Sequence, residues 1–194
     1  TPANSGGTIT SWSVTPSLPS GLSLDASTGA VSGTPSAITS SGTYTVTADN
    51  TGGSDTATLT IVVNDVAPSS LSYSPSTFTL TKGTAMTTTT PTVSGGTITS
   101  WSVSPTLPAG LSLDSTTGAI SGTPTAVTTS ATYTVTASNT GGSDTADLTI
   151  VVNDVAPSSL AYSPNSFTLT KGTAMTTVTP TVSGGTITSW TVSP

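Results

Sequence analysis

Cysteine, histidine, arginine, glutamate and glutamine are all missing from these 194 residues, and only two lysines and eight aspartates carry side-chain charge. Each absence closes a class of chemistry. Without cysteine there is no disulfide, thiolate nucleophile or thiolate metal site. Two lysines in a chain of net charge −6 make no basic patch. Nucleic acid is therefore not expected as a partner, because backbone binding needs several cations to release counterions. Long apolar runs are lacking as well: none approaches the ~18 to 20 residues of a membrane span. Neither a start methionine nor a signal-like stretch opens the chain at Thr1, so it is expected to be an excerpt, its targeting signals removed or lying elsewhere. Catalysis is left with Ser, Thr, Tyr, Asp, Asn and Lys, and no nucleophile and base pair stands out among them. An enzyme is not expected.

What the chain does have is repetition. Leu107-Pro-Ala-Gly-Leu-Ser-Leu-Asp114-Ser-Thr-Thr-Gly118-Ala-Ile-Ser-Gly-Thr-Pro124 occurs earlier as Leu18-Pro-Ser-Gly-Leu-Ser-Leu-Asp25-Ala-Ser-Thr-Gly29-Ala-Val-Ser-Gly-Thr-Pro35, and Trp12, Trp101 and Trp190 keep the same 89-residue spacing. A fixed long period means an array of modules rather than one large domain. Differences between copies conserve volume where a core is expected, as in Val31 against Ile120, and drift where a solvated face is expected, as in Thr58 against Asp147. The expected division is a partial repeat over 1–66 lacking its first strands, a complete repeat over 67–155, and the N-terminal part of a further repeat over 156–194.

The complete repeat reads as strands. Residues 71–73 and 77–81 are short β-prone runs, 92–94 leads into Gly95-Gly96, and 98–103 puts Trp101 and Val103 on one face. Pro105 and Pro108 then break the ladder, since proline brings no donor to it. Short strands at 111–113 and 119–121 flank an Asp-x-x-Thr-Gly turn, where Asp25 and Asp114 can accept backbone donors and Gly29 and Gly118 take positive φ. The tightest alternation comes last: Tyr133, Val135 and Ala137, then Ala146, Leu148, Ile150 and Val152, across a glycine-tipped turn. About seven short strands with frequent turn signals make an all-β antiparallel sandwich. Trp101, the single Trp of its repeat, is expected at the centre of the core.

The long Leu-Pro-x-Gly-Leu-Ser-Leu-Asp phrase, the following Tyr-Thr-Val-Thr-Ala and the Asn-Thr-Gly-Gly-Ser-Asp turn together resemble the immunoglobulin-like repeats of large bacterial and archaeal surface proteins. Those repeats are similar in turn to cadherin-like and dystroglycan-type modules. The resemblance implies tandem immunoglobulin-like sandwiches in an extracellular or cell-surface stalk, adhesin or filament, acting as stiff spacers, with no enzymatic activity. Partners would be neighbouring repeats of the same chain or identical chains. A further reading makes the module adhesive, with a loop such as 139–144 contacting a carbohydrate or protein receptor. Asn64 and Asp65, and again Asn153 and Asp154, stand at the joints and resemble the Asn-Asp-x-x-Pro joint of cadherin repeats, which makes calcium the candidate ligand there. The alternative for these aspartates is an Asx turn or strand-end cap. Calcium wants about six to eight oxygens, and the chain offers one Asp per joint plus carbonyls. Lys82 and Lys171 each precede a glycine at a loop start and read as solvated; an isopeptide bond from Lys82 would want a neighbouring Glu, which is absent. Finally, the first piece lacks the counterpart of residues 67–89, while the last piece holds it and stops just after the Trp190 strand. Either the window was cut from a longer array, or the last piece of one copy completes the first piece of the next.

Overall fold

The computed structural model describes residues 6–194, which are all strand, turn and loop with no helix. Fifteen strands follow the 89-residue period. The chain divides into two compact units: one holds residues 1–67 with 95–97 and 139–142, and the other holds 68–94, 98–138 and 143–194.

The second unit holds most of the complete repeat, which has eight strands rather than seven: β6 (Ser69–Ser72), β7 (Thr77–Thr81), β8 (Thr92–Ser94), β9 (Ser100–Ser104), β10 (Leu111–Leu113), β11 (Ile120–Gly122), β12 (Thr128–Asn139) and β13 (Gly142–Asn153). One layer is the sheet β7-β13-β12-β9. The other is built of the pairs β6-β8 and β10-β11, joined where Thr89 and Ile120 exchange backbone hydrogen bonds of 3.0 and 2.9 Å. β12 starts at Thr128, five residues before the alternating Tyr133, Val135 and Ala137, and lies beside β13 in the sheet. The sandwich is not wholly antiparallel. β7 runs parallel to β13, from Thr77 opposite Thr149 to Thr81 opposite Asn153. Parallel pairing requires a long connection, and here β8 to β12 lie between the two strands.

Strand alternation packs the core as expected at Tyr133, Val135, Ala137, Leu148, Ile150 and Val152, all buried. Their cluster is closed by Tyr73, Phe78, Leu107 and Ile120. Trp101 corrects the expectation that it would sit at the centre. It is half-buried at the cluster's edge, and its indole Nε1 has no hydrogen-bond partner. The centre is taken by β-branched and Leu side chains, which fill the narrow space between two layers without bringing in a polar atom. Trp101 instead lies against Gly118, where an added Cβ would come within 2.7 Å of the indole ring, at a backbone φ of 71° that itself favours glycine.

In the first unit, β1 (Ser11–Thr15), β4 (Thr39–Asn50) and β5 (Gly53–Val63) form the sheet β1-β4-β5, and β2 (Leu22–Leu24) pairs with β3 (Val31–Gly33). These are the counterparts of β9, β12, β13, β10 and β11. Residues 156–194 show the converse. β14 (Ser158–Ala161) pairs with β15 (Thr181–Ser183), as β6 pairs with β8. Residues 166–170, which match β7, and 189–193, which match β9 and carry Trp190, form no strand. Their partners in the complete repeat are β13 and β12, which residues 156–194 do not contain.

Candidate functional site

Polar function concentrates where the chain enters a repeat. Asp65 stands two residues after β5, and its carboxylate is held by the backbone around it. The Val66 N–H donates to Oδ1 at 2.8 Å and the Thr97 N–H to Oδ2 at 2.9 Å. The Asp65 N–H donates to the Thr140 hydroxyl at 2.9 Å, and the Val66 carbonyl accepts from Asn139 Nδ2 at 2.7 Å and from the Gly96 N–H at 3.0 Å. The linker is thereby clasped by the Gly95-Gly96 turn and by the β12–β13 hairpin tip, all within the first unit. The tip approaches so closely that a Cβ on Gly141 would overlap the Asp65 carbonyl oxygen.

Asp154 repeats half of this arrangement. Its Oδ1 accepts from Val155 N–H at 2.9 Å, its Oδ2 from Thr186 N–H at 3.0 Å, and the Val155 carbonyl accepts from Gly185 N–H at 2.8 Å. These backbone donors, aided weakly by the Lys82 charge, hold the Asp154 carboxyl below the ordinary carboxylate value. Asn64 and Asn153 contribute at most a backbone oxygen: the Asn153 carbonyl accepts from Lys82 N–H at 2.9 Å. Among the described residues no three acidic, His or Cys side chains gather to hold a metal. One carboxylate, with both oxygens already serving amides, does not fit the oxygen-rich shell calcium requires.

The signature turn is a second polar centre. Asp114 Oδ1 accepts from the Thr116 and Thr117 N–H groups at 2.8 and 2.9 Å and from the Thr116 hydroxyl. Those donors, the hydroxyl foremost, pull its pKa down to about 2. Asp25 is held in the same way by Ser27 and Thr28 and is lowered likewise. The sequence points to both aspartates. It does not point to Tyr73, whose buried hydroxyl donates to the Gly118 carbonyl at 2.6 Å and whose pKa burial pushes up to about 12. Both halves recur, this Tyr as Tyr162 and this Gly as Gly29, but nothing in the recurrence pairs them. Lys82 is exposed at its loop start.

The first unit also carries an open groove of about 990 Å³, lined among others by Trp12, Val46, Ala48, Asp55 and Ala57. Its walls are mixed and it has no converging set of titratable groups. No helix among the described residues is long and apolar enough to cross a membrane.

Solved structures resembling the chain include a Bacteroides fragilis protein described as a "putative alpha-galactosidase", at 30% identity and TM-score 0.39 over 49% of this chain and 19% of that one. Extracellular domains 3–5 of Drosophila OTK match at 20% identity and TM-score 0.42, over 73% of this chain and 50% of that one. Immunoglobulin domains 1–5 of Sidekick-1 match at 21% and 0.35, over 73% and 32%. The chain thus spans half or less of each of these. No curated protein matches it. The family described as "Putative Ig domain" matches residues 1–64 and again residues 67–153, and the chain belongs to that family as a tandem array of immunoglobulin-like sandwiches.

Proposed function

We propose that the chain is a structural module, a stiff repeated spacer in an extracellular or cell-surface stalk, adhesin or filament. The observation that supports this most is the clasped linker. The joint is not a free tether: Asp65, Val66 and the glycine-tipped hairpin bind it through side chain and backbone, and Asp154 begins the same pattern one period on. Pro68 and Pro157 follow closely, and proline fixes its own φ and restricts the residue before it. The alternative, an adhesive module reading a carbohydrate or a protein with the loop at 139–144, gains less support. Asn139, Thr140 and Gly141 of that loop are engaged by the linker.

Single-molecule pulling tests the spacer. A load-bearing repeat unfolds in one step that releases its roughly 89 residues, a gain in contour length of roughly 300 Å at about 3.6 Å per residue. Gradual yielding at low force, with no such step, would rule the mechanical role out. Binding to glycans or host proteins that is lost on replacing residues 139–144, with the step unchanged, would favour the adhesive reading.

A further inference from the structure

Within the complete repeat two strand edges have no strand paired to them among the described residues. β6 pairs only with β8, which leaves its other edge free. β7 covers the outer edge of β13 from Thr149 to Asn153 and leaves residues 143–148 uncovered. An open edge offers N–H and C=O groups to any extended chain, and an array of near-identical repeats supplies many such chains.

One carboxylate occupies both edges. Asp144 alternates with Ala146, Leu148, Ile150 and Val152 along β13, so its side chain stands on the inward face, toward the layer that holds β6. Its Oδ2 accepts from the Leu71 N–H of β6 at 2.8 Å and its Oδ1 from the Thr145 N–H of β13 at 2.9 Å. The Thr145 N–H belongs to the outer edge: Thr149 donates outward to the Ser76 carbonyl at 2.9 Å, and the ladder repeats every two residues. An ionised carboxylate suits the place because it only accepts, and it has one oxygen for each amide. β6 adds a second obstacle. Ser69 stands opposite Ser94 and Ser72 opposite Thr92, so three steps on β6 match two on β8. The extra residue is taken up around Ser70, whose φ of 58° is a left-handed conformation uncommon outside glycine. A bulge of this kind bends the strand and breaks the even row of groups that a partner would need. Both devices recur with the period: Ser159 has φ 54° in the bulged β14, and Asp55 Oδ1 accepts from the Thr56 N–H at 2.8 Å.

We infer that Asp144 and the Ser70 bulge form a guard that keeps a strand of a second copy from adding to this side of the sandwich. The guard is independent of the spacer role, since stalk, adhesin and filament alike need repeats that do not fuse edge to edge.

Sedimentation of the 194-residue chain carrying Asp144→Ala tests it. The substitution frees both amides, and at equal concentration the assembled fraction should rise on the order of tenfold over the unsubstituted chain. Tyr73→Phe also removes a hydrogen bond from the complete repeat but leaves the edge guarded, and it should stay at the unsubstituted level. Adding Thr145→Pro to Asp144→Ala should bring assembly back to that level, because proline has no N–H to offer a new strand and is accommodated where an edge N–H faces outward. Amide exchange locates the contact: in Asp144→Ala the Leu71 N–H should exchange fast in dilute solution and on the order of tenfold or more slowly once assembled. No assembly beyond the unsubstituted level, equal assembly of Tyr73→Phe, no rescue by the proline, or a Leu71 amide that stays fast in the assembled form would each overturn the proposal.

Discussion

Gly118 shows how closely single residues are specified. Three groups meet at it: the Asp114 turn closes on its N–H at 2.9 Å, Tyr73 donates to its carbonyl, and Trp101 covers its α-carbon. Tyr73→Phe leaves that buried carbonyl without its partner and should destabilise the repeat by about 1–3 kcal/mol in urea denaturation. The same hydroxyl sets an alkaline limit. Its folded pKa of about 12 lies above the unfolded value of 10.0, so its contribution is complete below pH ~10 and is lost as pH rises through about 12. Tyr73→Phe should flatten that alkaline slope. Asp114 sets an acid limit with the opposite sign. Its folded pKa of about 2 lies below the unfolded value of 3.8, so its stabilisation is present above pH ~4 and fades as pH falls through about 2. Asp114→Asn should flatten the melting temperature of the complete repeat between those values. The Asx turn was legible because Asp-x-x-Thr-Gly names donor and acceptor within five residues. The Tyr73 bond was not, because its halves stand 45 residues apart and only the fold joins them.

At the scale of elements, nearly identical sequences take different structures according to what lies beside them. Thr77-Phe-Thr-Leu-Thr81 is a strand, while Ser166-Phe-Thr-Leu-Thr170 is not. Local propensity is the same in both, so pairing with β13 makes the difference. This is why alternation and turns gave the strands of the complete repeat within a few residues, yet could not say which copies would form them. It is also why the parallel β7–β13 pair escaped notice, since a strand's direction relative to a distant partner leaves no mark on its own alternation. Amide exchange checks the point in dilute solution. The Phe78 and Leu80 amides, which face β13, should be protected to the level of the repeat's core, and those of Phe167 and Leu169 should exchange close to the unstructured rate. The linker belongs to this scale too. Asn-Asp before a proline announces a joint, but a short motif cannot distinguish a carboxylate that binds amides from one that binds calcium. Since Asp65 and Asp154 serve amides, exchanging millimolar calcium for a chelator should leave the melting temperature unchanged. A filled site would raise stability by about 2.7 kcal/mol at a hundredfold excess over its dissociation constant, a shift of several degrees.

For the whole molecule, the repeats should differ in stability by virtue of closure alone. The complete repeat buries Ile120, Val135, Leu148, Ile150 and Val152 entirely, whereas their counterparts Val31, Leu59, Ile61 and Val63 in the first unit keep contact with water and only Val46 is buried. Apolar burial contributes about 25 cal/mol per Å², so partial exposure of several such side chains removes a large part of the roughly 5–15 kcal/mol that a small domain has to spare. Calorimetry of dilute chain should therefore show two transitions, the first unit melting below the complete repeat.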